Sequence, residues 1–124
     1  MDEDVLILLD DILFTINKTN ECLPEQRIFD DFRKDWKTKK AVERGIEIIG
    51  EAMNRLLKIN PEISITNARK IVDTRNRVSH GYDTISDDII WRIVINDLPI
   101  LKSEVEKLLA EHNPALSEVE GTKI

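Results

Sequence analysis

Residues 39–58, KKAVERGIEIIGEAMNRLLK, decide the fold. Val42, Ile46, Ile49, Met53 and Leu56 step by four, three, four and three, which is the spacing of one face of an α-helix. A second row, Ala41, Gly45, Ile48 and Ala52, runs beside it. Two adjacent apolar rows are wider than a surface helix needs, so this helix belongs at the centre of a bundle or in a subunit interface. Gly45 and Gly50 would let neighbouring helices approach closely, each at a helix-propensity cost of about 1 kcal/mol.

The same period appears on both sides of this segment. Val5, Leu9, Ile12 and Ile16 predict a helix over residues 3–18, widened by Leu6, Leu8 and Leu13. NKTNECLPEQ follows as a turn region, with Pro24 suited to an early helical position. Ile28, Phe29, Phe32 and Trp36 then predict a short second helix. NPEISITN separates the long helix from a fourth, over residues 67–80. Ser86, followed by Asp87 and Asp88, predicts the capped start of a fifth helix that Pro99 should kink or split. The expectation is an all-α, up-and-down bundle of about five helices in one domain, residues 1–111, with residues 112–124 as a flexible tail that includes a solvated His112.

Composition agrees. The chain has 124 residues, enough for one core, and Leu, Ile, Glu, Lys and Arg dominate over aromatic residues at 5%. A formal charge of −6 argues against a surface that coats nucleic acid, yet leaves room for a small basic site. RKIVDTRNR, residues 69–77, is the strongest basic concentration. Cys22 is the only cysteine, so neither an internal disulfide nor a cysteine-based metal cluster can form. His80 and His112 show no metal-ligand spacing, and no metal or cofactor is expected. The N-terminal apolar residues are interrupted by aspartates, unlike a signal peptide or a membrane span, which leaves a cytoplasmic protein as the expectation.

One residue breaks the pattern. Arg75 lies four after Ile71, three after Val72 and three before Val78, in the middle of the inward stripe of the fourth helix. A guanidinium there is costly unless it is paired or lines a cleft, and such a breach of local rules marks functional sites. His80, five residues on, is about 140° around an ideal helix and about 7.5 Å along it, so the two converge only if the helix ends there, where Gly81 would stop it. An arginine that grips phosphate and a titratable histidine are elements of phosphodiester chemistry, with Asn76 and Ser79 as added hydrogen-bonding groups. The residues equally admit structural roles. Glu43, Glu47 and Glu51 form a mutually repelling row that would welcome a basic neighbour, either as a plain ion pair or as the groups that orient Arg75. His80 would serve as a helix cap, and Tyr82 as a core aromatic.

Arg75-Asn76-Arg77-Val78-Ser79-His80-Gly81-Tyr82 resembles the Arg-x4-His-x-Tyr motif of the HepT-like toxins of the HEPN superfamily. The likeness extends to AVERGIEIIGEAMNRLLKINPEI, similar to that family's central helix with its Ile-Gly-Glu-Ala signature at Ile49–Ala52, and to DDIIWRIVINDLPILKSEVEKLL, similar to its closing helix. Members often carry a Pro-Trp pair before the motif helix; Ile65, Thr66 and Asn67 stand there in this chain.

The resemblance implies a homodimeric bundle whose two motif regions meet in a shared cleft. It also implies a metal-independent endoribonuclease toxin, neutralised by a nucleotidyltransferase antitoxin that adds AMP to the motif tyrosine, here Tyr82. Arg75 would stabilise the scissile phosphate and His80 would move the proton, while Arg69, Lys70 and Arg77 would guide the RNA backbone. A cyclic phosphate product requires the ribose 2′-hydroxyl, hence RNA. The competing expectation is a non-catalytic helical subunit that binds a nucleotide or the nucleotidyltransferase and regulates it.

Overall fold

The computed structural model describes residues 2–79 and 87–112, residues 77–79 by their backbone alone. The helices are α1 (Glu3–Glu21), α2 (Phe29–Lys34), α3 (Trp36–Ile59), α4 (Ala68–Ser79), α5 (Asp87–Arg92) and α6 (Leu98–His112), with a π-helical turn at Ile93–Asp97 joining the last two. The architecture is the expected all-α bundle: α3 packs against α1 and α4, α1 against α6, and α2 against α3 and α5. Val5, Leu9, Ile12 and Ile16 of α1 are buried against Val42, Ile46, Ile49, Met53 and Leu56 of α3. These are the α1 row and the first α3 row read from the sequence; of the second α3 row, Gly45 and Ala52 are buried while Ile48 is exposed.

Glycine sets how closely α3 meets its neighbours. A Cβ on Gly45 would stand 2.2 Å from Thr19 Oγ1 of α1, and one on Gly50 would stand 2.1 Å from Arg75 Cβ of α4. Neither position has room for even a methyl group, so the helix-propensity cost of each glycine is offset by packing on a different partner. Thr19 lies beside Gly45, while Asp4 and Ile7 share a hollow with Lys58 and Ile59, so α1 and α3 run antiparallel.

Several boundaries differ from expectation. Trp36 does not close the second helix; it opens α3 and is 67% exposed. Asp35 separates the two helices with an extended backbone (φ −95°, ψ 91°), and its carboxylate accepts from Thr38 N at 3.1 Å and Thr38 Oγ1 at 2.6 Å. That cap outweighs the i, i+4 apolar spacing from Phe32 to Trp36. Pro24 stands in the connection between α1 and α2, where its carbonyl accepts from the Arg27 guanidinium; Ile28, extended at φ −117°, precedes α2. α1 runs three residues beyond Lys18, and α6 includes an exposed His112. The cap expected at Ser86 and the tail expected beyond residue 112 lie outside the described residues.

Pro99 splits the last rod as expected. Its ring removes an N–H and crowds the carbonyl four residues back. The chain answers with the π turn, in which Leu98 N bonds to Ile93 O, five residues earlier. Asp97 is thereby turned inward and buried. Its Oδ2 lies 3.1 Å from Lys70 Nζ as an ion pair without hydrogen-bond alignment. Thr66 makes a second tie, its N and Oγ1 donating to Glu104 Oε2 at 3.1 and 2.7 Å. With Ile65 buried just before it, the segment that departs from the Pro-Trp pattern still anchors the start of α4.

Gly50→Ala is expected to lower the stability of the fold by about 1–3 kcal/mol, the usual cost of overpacking, despite the gain in helix propensity. Urea unfolding followed by circular dichroism checks the sign.

Candidate active site

The site is built where α4 crosses α3. Ile71 and Val72 bury the inward side of α4, and the next inward position is Arg75. Its Cβ and Cγ lie over Gly50, so the stem uses the space that a larger residue would fill. The aliphatic part packs like a core residue while the head reaches the edge of the helix pair. The Arg75 side chain is 23% exposed.

At that edge the guanidinium has two acceptors. Nη2 donates to Glu51 Oε2 at 3.1 Å, and Nη1 donates to Asn76 Oδ1 at 2.6 Å. Glu51 also faces Arg55 at 3.8 Å on its own helix. The hydrogen bond from Arg75, and then its charge, hold the Glu51 carboxyl below the usual glutamate range. A guanidinium has five N–H donors in a planar fork. Glu51 and Asn76 take two of them among the described residues. The arrangement fixes the orientation of the group and retains donors for an anion.

The other expected residues fall into distinct places. Glu47 pairs with Arg44 at 3.4 Å and Glu43 with Lys40 at 3.4 Å, both along α3, so Glu51 alone of the acidic row reaches Arg75. Arg69 is exposed on the first turn of α4. Lys70, half exposed, is held by Asp97. The side chains of Arg77 and Ser79, and all of His80 and Tyr82, lie outside the described residues. No three His, Cys, Asp or Glu side chains converge among the described residues, and no helix there is long and apolar enough to cross a membrane.

Two features escaped the sequence. The Lys70–Asp97 ion pair joins residues 27 positions apart through the π turn, and the only hint was an aspartate within an otherwise apolar run. Lys39 similarly holds Asp87 at 3.3 Å, tying the start of α5 to the first turns of α3.

The lowered Glu51 pKa makes a signed expectation. Its contribution to stability is present above the unfolded-state value of about 4.3 and is lost as pH falls through the lower folded-state value. Carboxyl-resolved NMR titration should place Glu51 below that reference in the wild type and return it upward in Arg75→Ala.

Residues 12–108 match the family described as Ribonuclease HepT-like. A candidate RNase of Methanocaldococcus jannaschii is 35% identical over 113 residues, covering 88% of this chain and 90% of that protein. A candidate ribonuclease HepT of Thermococcus cleftensis is 36% identical over 104 residues, covering 81% of this chain and 91% of the other. A candidate RNase of Caldanaerobacter subterraneus is 33% identical over 82 residues, covering 65% and 73% respectively. No solved structure gives a significant match. The arginine held at the α3–α4 crossing, the all-α bundle around it and a match over most of the length agree: the chain belongs to the HepT-like ribonuclease family of the HEPN superfamily.

Proposed function

We propose that the chain is the toxin of a toxin–antitoxin pair, a metal-independent endoribonuclease acting as a homodimer with a shared cleft. The observation that carries this reading is Arg75: a guanidinium in an apolar row, oriented by Glu51 and Asn76 with donors to spare. Groups of that kind, pre-positioned and partly desolvated, stabilise charge that develops on a phosphate. Residues 1–111 form the catalytic domain in this reading, and the tail from residue 112 is dispensable to it.

In the proposed reaction the ribose 2′-oxygen attacks phosphorus and the bond from phosphorus to the 5′-oxygen breaks. The products are a 2′,3′-cyclic phosphate and a 5′-hydroxyl. Arg75 bonds to the non-bridging oxygens as their charge grows. His80 takes the 2′-hydroxyl proton or delivers one to the leaving 5′-oxygen, the proton-transfer tasks to which imidazole is suited. Asn76 and Ser79 position the phosphate or the arginine. Arg69 and Arg77 meet the RNA backbone, so binding weakens as salt rises; Lys70 joins them only by leaving its ion pair with Asp97.

Tyr82 is two residues from His80 in sequence and is the proposed acceptor of AMP from a nucleotidyltransferase antitoxin. Its hydroxyl displaces pyrophosphate from ATP, leaving a phosphodiester and a bulky nucleotide next to the motif. The added negative charge competes for Arg75 and the added volume blocks substrate. The net charge of −6 and the capture of Lys70 by Asp97 favour a second reading, a non-catalytic subunit that binds the nucleotidyltransferase or its nucleotide.

RNA incubated with the full-length protein in a metal chelator separates the two. Arg75→Ala and His80→Ala are each expected to slow cleavage by about 100-fold or more while the fold is retained. Equal cleavage by all three proteins overturns the nuclease assignment, and no cleavage by folded wild type supports the subunit. Glu51→Gln is expected to lower kcat several-fold with little change in KM, because it loosens the orientation of Arg75 without removing a phosphate contact.

A further inference from the structure

Among the described residues, α3 is the one helix against which α4 packs extensively. Ile71 and Val72 supply the buried stripe of that contact. Apolar burial is non-directional, so a stripe alone leaves a helix some freedom to roll on its neighbour. Directional contacts remove that freedom: Thr66–Glu104 just before α4, Lys70–Asp97 in its first turn and Arg75–Glu51 farther along. Lys70 and Arg75, five residues apart, are about 140° around an ideal helix and about 7.5 Å along it. Their ties therefore pull on different flanks of α4, one toward the π turn and one toward α3. Thr74, one turn beyond Lys70 on the same flank, is buried and donates from Oγ1 to Lys70 O at 2.9 Å.

The two ion pairs are unequal. The Glu51 side chain is 54% exposed, so water competes with Arg75 for its carboxylate. The Asp97 side chain is 6% exposed, and among the described residues its Oδ2 has no hydrogen-bond donor, only the charge of Lys70 Nζ at 3.1 Å. A buried carboxylate deprived of its cation costs far more than an exposed one. The demand for a counterion at Asp97 therefore holds Lys70 to the π turn more firmly than Glu51 can hold Arg75. We infer that Asp97 is a positioning residue for Arg75: through Lys70 it sets the roll of α4, which lays the arginine stem over Gly50 and brings its head to Glu51. Lys70 then acts as the counterion that locks the helix and not as a contact to RNA.

The inference rests on the nuclease reading only in taking that placement of Arg75 as the productive one, and its first readout needs no cleavage. Carboxyl-resolved NMR titration of the full chain follows Glu51, whose ionisation reports on Arg75. Asp97→Asn and Lys70→Met should each move the Glu51 pKa upward toward its value in Arg75→Ala. Lys70→Arg, which keeps the cation, should leave it low. Val5→Ala, a truncation in the core face of α1, should lower stability and also leave Glu51 low, which separates positioning from mere loss of stability. With RNA, Asp97→Asn and Lys70→Met should lower kcat several-fold at near-constant KM, with the salt dependence of binding unchanged. A Glu51 that stays low in both variants overturns the inference. So does a Lys70→Met protein with raised KM and a flatter salt dependence but Glu51 unmoved, the mark of a phosphate contact. Should Asp97→Asn fail to fold, Lys70→Met against Lys70→Arg decides. A wild type that cleaves no RNA overturns the nuclease reading, and the titration then judges the placement of Arg75 by itself.

Discussion

The close approach of α4 to α3 at Gly50 governs the rest of the structure. Because no side chain occupies that point, the backbone of α4 sits near enough for Arg75 to lay its stem across α3 and bring its head to Glu51. With a larger residue there, α4 would stand off and the guanidinium would lose either its packing or its acceptor. Gly45 performs the same service toward α1 at Thr19. The central helix is thus shaped by two absences on two sides, and its neighbours are positioned by how closely each can come.

Electrostatics divides into ties that hold the fold and one that orients a guanidinium. Lys70–Asp97, Thr66–Glu104 and Lys39–Asp87 join elements distant in sequence, and each secures an end of α4 or α5. Arg75–Glu51 differs in that its carboxylate is more than half exposed and its arginine is mostly covered. Such a pair gives little net stability, since water competes for the carboxylate. Its value lies in direction. A guanidinium held at two nitrogens presents its remaining donors along a fixed line.

Much of this was legible in the residues themselves. The rows from Val5 to Ile16 and from Val42 to Leu56 have unbroken helical period, and both are core. Arg75 stood out because it occupied a leucine's place, and Glu51 was foreseeable as a partner because the acidic row faced outward without one. Trp36 misled because its spacing from Phe32 satisfies a helix, while the Asp35–Thr38 cap between α2 and α3 is a local hydrogen-bond choice with no apolar signature. Lys70 looked like a free cation because its anion lies across the fold, in a turn whose geometry periodicity does not announce. Whether Arg75 belonged to chemistry or to packing was undecidable from spacing; the eight-residue motif, flanked by two similar helices, tipped it toward chemistry.

The π turn has a consequence beyond accommodating Pro99. A single wide turn inserts an extra residue into an otherwise regular rod, so the helical phase is reset between Ile93 and Leu98. The residues before it address α2, where Trp91 stacks near Phe32 with ring centres 5.1 Å apart, while those after it address α1. One rod therefore satisfies two differently oriented partners without a loop between them. A small bundle gains from this a continuous brace that reaches from α2 to α1.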